Sequence, residues 1–221
     1  MDRNVYSLVL IDDIVEAVDR MAYEKNTSRS SLINQILAEY LSCPTPEMRM
    51  KDIFESVEQM MKDIRCFQVQ FQPSDSMISI RSALKYRYKP TIRYVLELYR
   101  ESEPTVGELR VSMRTQSQPL IEILTDFFEF WSEMENRCIS SFFPGGRIPC
   151  RIEQGRYIRQ FLPPEEEEQR TNEALASAIS DYIRQFDSSL KQYFSGLDDP
   201  EESELALEQE YITHIRNSVV I

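Results

Sequence analysis

The chain has 221 residues, with 37 acidic and 25 basic side chains, a net charge of −12 and 42% apolar residues. This balance excludes wholesale disorder, and the length allows one or two domains with a real core. No apolar run reaches the ~20 residues that span a membrane, and the first residues lack the basic and apolar segments of a signal peptide. We therefore predict a soluble, cytoplasmic protein with no membrane partner.

Motifs for catalysis and cofactor binding are missing from the sequence. The five glycines form no phosphate-binding or dinucleotide-binding loop, and there is no Gly-x-Ser-x-Gly motif. The single histidine, His214, and four cysteines without a Cys-x-x-Cys pair do not have the spacing of a zinc site. We expect a protein that is not an enzyme, with no catalytic residues, no metal and no cofactor.

Charge is distributed unevenly along the chain. Residues 1–42 have a net charge of −3 and residues 76–116 a net charge of +4, whereas residues 163–221 have a net charge of −10. Such asymmetry bears on the partners of a protein and not on its fold.

The first forty residues predict one strand and two short helices. Residues 5–10 alternate weakly, as a half-buried strand does. Apolar residues then recur at helical spacing after a candidate N-cap at Asp12, and again after Thr27 or Ser28, with Asn26 suited to the break between the helices. Three such elements cannot bury their apolar faces alone. We predict that a second chain completes the unit, with two paired strands over four helices.

These residues match a known pattern. The run from Leu8 to Ala22, followed by Thr27-Ser-Arg-Ser-Ser-Leu-Ile33, resembles the ribbon-helix-helix family of repressors and antitoxins. The resemblance covers residues 3–42, about a fifth of the chain, and the spacing from strand to second helix fits without a gap. It implies a homodimer whose paired strands enter the major groove of DNA. Such a dimer would regulate transcription.

By this resemblance, the DNA-binding residues are the outward strand positions and the start of the second helix. They are Arg3, Val5, Ser7, Val9, Thr27, Ser28 and Arg29. Backbone amides near the last three would hold a phosphate. The two valines, however, can recognise little on a base edge beyond a thymine methyl. The net charge of −3 also repels the negatively charged DNA backbone. The unit is therefore either a DNA reader or mainly a dimerisation device.

The middle of the chain predicts a connecting helix within residues 43–65 and a sheet domain over residues 66–162. The helix is predicted from apolar residues every three or four positions. Four segments with a period of two predict an antiparallel meander, and they are residues 67–71, 77–88, 91–100 and 107–115. A competing interpretation makes the second and third segments helices. An apolar helix from Pro119 to Trp131 is expected to cover the inward face of the sheet.

Apolar and basic side chains fall on opposite faces of these predicted strands. The inward residues are Ile78, Ile80, Leu84, Tyr86, Ile92, Tyr94, Leu96, Leu98, Leu109, Val111 and Met113. The outward basic residues are Arg81, Lys85, Arg87, Lys89, Arg93, Arg110 and Arg114. Such a face either binds RNA or another anion or is an ordinary polar surface. A weaker basic cluster is predicted from Arg147, Arg151, Arg156 and Arg159.

Residues 163–221 predict an acidic helical region. Pro163 and Pro164 precede four glutamates that suit the first turn of a helix, Gly196 ends that helix, and Pro200 opens another. These helices either pack on the sheet domain or present an acidic surface to a basic partner.

The sequence as a whole predicts an α+β protein with a dimeric ribbon-helix-helix unit, an antiparallel sheet packed with helices and a helical C-terminal region. The favoured function is a DNA-binding transcriptional regulator, such as a repressor, whose C-terminal part binds a partner or sets the oligomeric state. The alternative is an accessory protein of a mobile element or defence system. It would dimerise through the first unit and bind RNA or a protein through the basic sheet or the acidic helices.

Overall fold

The computed structural model describes residues 7–62, 64–71, 76–87, 89–101, 103–153 and 155–221. The chain divides into two compact units between Arg49 and Met50. Its helices and its antiparallel sheet confirm the predicted α+β class. In the described part of the chain, no helix has the length and apolar character needed to cross a membrane.

The first unit contains two helices, α1 (Asp12–Glu24) and α2 (Arg29–Leu41). Ser28 caps α2, as predicted, because its side chain accepts a backbone N–H from the first turn at 3.1 Å. Asn26 lies between the helices in the left-handed conformation, with φ of 49°. The predicted cap Asp12 is instead the first helical residue, and Ile11 occupies the cap position without a side-chain hydrogen bond.

Residues 7–11, before α1, have no regular secondary structure in the single chain. The strand predicted for residues 5–10 needs a partner strand from a second copy, because a lone strand has no ladder hydrogen bonds. Residues 5 and 6 lie outside the described residues, so the strand stays a prediction.

The second unit is built on a six-stranded antiparallel sheet in the order β1-β2-β3-β4-β6-β5. The strands are β1 Phe67–Phe71, β2 Met77–Ala83, β3 Thr91–Leu98, β4 Gly107–Met113, β5 Cys150–Glu153 and β6 Arg156–Phe161. The helices are α3 Pro46–Lys62, which contains the boundary between the units, α4 Gln118–Ile139, α5 Asn172–Ser195 and α6 Pro200–Ile215. Short 3-10 helices occupy Ser140–Phe142, Pro144–Gly146 and Glu167–Arg170.

The strand predictions are confirmed for β1 to β4, and the competing helical interpretation is wrong. The second strand ends at Ala83 and not at residue 88, because the chain turns back before Pro90, where the Lys89 amide donates to the Tyr86 carbonyl at 2.9 Å. The hairpin of β5 and β6, which extends the meander at the edge of β4, was not predicted as part of the sheet. Gly196 ends α5 and Pro200 starts α6, as predicted, but the four glutamates are not in the first turn of α5, because Thr171 caps that helix and it begins at Asn172.

A single large core lies on one face of this sheet. Ten of the eleven residues predicted to point inward are buried, and Tyr86 is half-buried. Phe186 of α5 contacts Trp131 and Phe127 of α4 with ring centroids 5.0 and 5.4 Å apart. Leu207 of α6 is buried in the same core. The acidic C-terminal helices therefore share the core of the sheet, and the opposite face of the sheet is left for polar side chains.

Candidate functional site

The first unit has a very small interior. Its core consists of Val18, Ala22 and Leu32, with Ile33 packed against them. A handful of apolar side chains is too little to offset the conformational entropy of ordering about forty residues. The unit therefore needs further apolar contacts to be stable.

Most apolar side chains of the first unit are exposed. In the described part of the chain, twelve of the fifteen exposed large apolar side chains belong to it. They are Leu8, Val9, Leu10, Ile11, Ile14, Val15, Met21, Tyr23, Ile36, Leu37, Tyr40 and Leu41. An apolar surface this dense marks an interaction site on a small unit.

The predicted DNA-binding residues of this unit are exposed where they are described. Ser7 and Val9 precede α1, and Thr27, Ser28 and Arg29 surround the start of α2. The first-turn amides of α2 leave donors free for an acceptor, as at any helix N-terminus. The Arg29 guanidinium forms an ion pair with Asp19 of α1, which offsets its charge within the unit. Arg3 and Val5 lie outside the described residues.

The sheet brings together several of the predicted basic residues in one row. Arg81 pairs with Arg93, Arg93 pairs with Ser112, and Ser112 pairs with Arg156 across neighbouring strands. Because facing residues in a sheet project to the same side, these four side chains share the solvent face. Arg81, Arg93 and Arg156 are exposed. We call them the arginine row.

Arg110 lies on the same face but is neutralised there. Its guanidinium lies 2.5 Å from Glu97 and 2.5 Å from Glu108, which face each other across β3 and β4. Partial burial by itself lowers the pKa of Arg110. The hydrogen bond to Glu108 and the negative charges of Glu108 and Glu97 outweigh it, so the pKa is raised. Burial and a 3.0 Å hydrogen bond to Glu108 raise the pKa of Tyr99 to about 12. Arg110 is thus part of a local network and is not a free cation.

Four of the predicted outward residues are not on a strand. Lys85, Arg87 and Lys89 lie in the connection between β2 and β3, which corrects the prediction that the strand continued through them. Arg114 directly follows β4. All four side chains are exposed. The end of β2, the start of β3 and the end of β4 are adjacent in the sheet, so these residues lie at the same end as the arginine row.

Arg159, predicted as part of a surface cluster, is buried instead. Only 1% of it is exposed, and it lies on the inward face of β6 between Tyr157 and Phe161. Its Nε lies 3.4 Å from Oε1 of Glu135 on α4, in an ion pair without hydrogen-bond geometry. The ring of Tyr182 lies 4.7 Å from its guanidinium carbon. The aromatic rings and the carboxylate together offset the cost of burying this charge.

Glu135 is the centre of a buried network. Its Oε2 accepts hydrogen bonds from Tyr157 at 2.8 Å and from Tyr182 at 3.1 Å. Trp131 donates to the Tyr182 hydroxyl at 3.1 Å. Burial by itself lowers the pKa of the Arg159 guanidinium. The Glu135 carboxylate outweighs this effect, so the pKa is raised. The network ties α4 and α5 to β6.

A small cavity adjoins this network. It has a volume of about 40 Å³ and is lined by Trp131, Arg159, Tyr182 and Tyr211, among others. That volume holds only a few water molecules. The sequence carried one signal for this site, an arginine that alternates with two aromatic residues, but the Glu135 partner is distant in the chain. We assign the network a structural role.

Comparison with family models, curated proteins and solved structures gives no match. Function is therefore inferred from the residues of this chain alone.

Proposed function

We propose that the chain is a homodimeric, non-enzymatic, cytoplasmic regulator of transcription that binds DNA through a ribbon-helix-helix unit at residues 3–42. The observation that carries the proposal is the contrast between the tiny core of the first unit and its twelve exposed apolar side chains. A second copy of the same unit offers an apolar surface of the same kind, which a two-fold symmetric dimer buries.

The helix boundaries support the same proposal. The two helices are of equal length, 13 residues, and are joined by a short connection that contains Asn26 and the cap Ser28. Residues 7–11 precede them with no partner in the single chain. In a dimer these segments would pair as a ribbon, with Ser7 and Val9 on the outward face. The exposed start of α2 would bind a phosphate on each side of the ribbon.

The first test measures the oligomeric state of the full chain by sedimentation equilibrium. We expect a mass of twice 26.1 kDa for the wild type. Leu37→Glu, at a position on α2 that is 45% exposed, should produce monomers because it places a charge in the buried interface. Leu205→Glu is the matched control, since it makes the same change at a 59% exposed position on α6. A monomeric wild type would refute the dimer.

The second test selects ligands from a random pool of double-stranded DNA, with a pool of single-stranded RNA beside it. We expect a palindromic duplex site, because a two-fold dimer contacts two half-sites. Ser7→Ala should weaken the preference for that site, and Arg29→Ala should weaken binding to all duplexes. Enrichment of RNA alone would contradict the regulator and favour the accessory protein.

A further inference from the structure

We propose that the basic end of the sheet binds the phosphates of duplex DNA and provides most of the cations for binding. The basic end consists of the arginine row together with Lys85, Arg87, Lys89 and Arg114. This inference deepens the proposed function and rests on it, because it assigns a second DNA contact to the unit that lacks the ribbon.

At two places on the solvent face of the sheet, two side chains of like charge face each other across neighbouring strands. One is Glu97 with Glu108, and the other is Arg81 with Arg93. Like charges directly opposite each other are destabilising. The acidic pair is bridged by Arg110, at 2.5 Å from each carboxylate. Among the described residues, no carboxylate lies within 4.0 Å of Arg81 or Arg93. Within the described part of the chain, the basic pair therefore has no counter-charge like that of the acidic pair.

The arginine row has the dimensions of a phosphate backbone contact. Neighbouring strands are about 4.8 Å apart, so three strand spacings separate Arg81 from Arg156 by about 14 Å. Successive phosphates of one DNA strand advance about 3.4 Å along the helix axis and also wind around it, so a straight row of this length can contact two or more phosphates of one strand. Arg93 donates from Nε to the Ser79 hydroxyl at 3.0 Å, which holds its side chain against the sheet. Ser112, between Arg93 and Arg156, offers a further hydroxyl.

The composition of this face favours a duplex over a single strand. Proteins hold single-stranded nucleic acids by stacking the bases on exposed aromatic side chains. Within the described strands, none of the residues that project to the solvent face is aromatic. Tyr86, at the basic end, is half-buried and packs edge-on against Phe194 at 5.3 Å. Within the described strands, this face thus offers charges for a backbone and no aromatic side chain on which bases could stack.

The first unit has too few basic side chains to bind the phosphates of a duplex by itself. Residues 1–42 contain four basic and seven acidic side chains, and Arg29 is paired with Asp19. Binding of a duplex needs several phosphate contacts, each of which displaces condensed counterions. The basic end offers seven exposed cations in each chain, and among the described residues only Arg156 of these seven has a carboxylate within 4.0 Å, that of Glu153 at 3.4 Å. Phosphate binding is therefore concentrated in the second unit.

The test measures duplex affinity against salt for the full-length protein, using the site selected above and a scrambled duplex. We expect the double variant Arg81→Gln/Arg93→Gln to reduce the slope of log K against log salt by about 2 to 4 per dimer, since each lost contact removes about 0.9. Affinity should fall about ten- to a hundredfold for both duplexes equally, because phosphate contacts carry no sequence information. Arg81→Lys/Arg93→Lys should retain the wild-type slope.

The matched control is Arg137→Gln/Arg184→Gln, which removes the same charge from α4 and α5 in the helical layer. We expect it to retain the wild-type slope. Equal slopes for both double variants would overturn the inference and leave the regulator intact. Duplex binding that depends on Arg81 and Arg93 but shows no sequence preference would support the inference and contradict the regulator. Binding of single-stranded RNA in place of duplex would overturn both.

Discussion

The two units of this chain place their apolar residues in opposite ways. In the second unit, Phe127, Trp131 and Phe186 are fully buried between a sheet and its helices. In the first, Leu37 and Tyr40 of α2 are 45% and 86% exposed. The second unit therefore buries its large apolar side chains within a single chain, whereas the first unit leaves most of its own exposed. Exposed apolar surface is informative when it is concentrated in one small unit.

The largest expected effect comes from breaking a buried charge pair, which only the second unit has among the described residues. Arg159→Met should lower the free energy of unfolding by about 3–5 kcal/mol, because Glu135 is left buried without its counter-charge. Denaturation followed by fluorescence measures this effect, since Trp131 is the single tryptophan. The double variant Glu135→Gln/Arg159→Met should recover part of the loss.

The matched change in the first unit is Arg29→Met, which breaks the exposed pair with Asp19. It should lower the free energy of unfolding by at most about 1 kcal/mol, because water screens exposed ion pairs. Far-UV circular dichroism measures this change. Similar losses for Arg29→Met and Arg159→Met would show that the two interiors do not differ as described.

The second prediction concerns alkaline pH. Burial, together with the Glu135 carboxylate, raises the pKa of Tyr157 and Tyr182 well above the usual value near 10.0. A raised folded-state pKa gives stability that is fully present below pH 10 and is lost as the pH rises above it. The second unit should therefore lose about 1.4 kcal/mol per pH unit for each such tyrosine.

Tyr157→Phe tests this origin of the alkaline loss. The variant should be less stable at neutral pH, because a hydrogen bond to Glu135 is lost, but its stability should fall less steeply above pH 10. Tyr40→Phe in the first unit is the control and should leave the alkaline unfolding of the second unit unchanged. An unaltered slope in Tyr157→Phe would contradict the assignment.

The third prediction uses protein concentration. If the first unit is stable only as a dimer, each tenfold dilution should lower its stability by about 1.4 kcal/mol. Trp131 fluorescence reports on the second unit alone, so that transition should not move with concentration. Far-UV circular dichroism should show the additional, concentration-dependent step. A single transition at all concentrations would remove the distinction between the two units.

The smallest effects are expected on the solvent face of the sheet. Arg81→Gln should leave stability unchanged or raise it by up to about 1 kcal/mol, because it relieves repulsion from Arg93. Arg110→Gln should lower stability by a similar amount, because Glu97 and Glu108 then face each other unbridged. Thermal unfolding of the two variants measures the difference. A larger loss in Arg81→Gln than in Arg110→Gln would contradict the role of Arg110.

Local patterns predicted much of the second unit. Side chains alternate with a period of two in any strand, so β1 to β4 and their inward faces followed from neighbouring residues. The contact of β4 with β6 did not, because 42 residues separate the two strands and no local pattern specifies such a pairing. The end of β2 was also missed, because the alternation of residues 77–88 continues through the turn that the Lys89 amide and the Tyr86 carbonyl close.

The candidate site was predictable in composition but not in register. The exposure of Arg81 and Arg93 followed from the alternation of apolar and polar side chains along their strands. Their direct opposition, and the bridging of Glu97 and Glu108 by Arg110, depend on how the strands align. Arg159 was misplaced because arginine is seldom buried without a partner, and its partner Glu135 lies on a different element. The ribbon of the first unit stays a prediction, since it requires a second chain.

The late pairing of β4 also has a consequence for biosynthesis. The meander of β1 to β4 is complete at Met113, but the strand that covers the edge of β4 begins only at Arg156. At about 5–20 residues per second, translation of the intervening 42 residues takes about 2–8 s. During that interval the partner strand of β4 does not yet exist, and an unpaired strand edge is a template for pairing with other chains. Chains translated close together would therefore be prone to pair through β4 at this stage, before β6 is made.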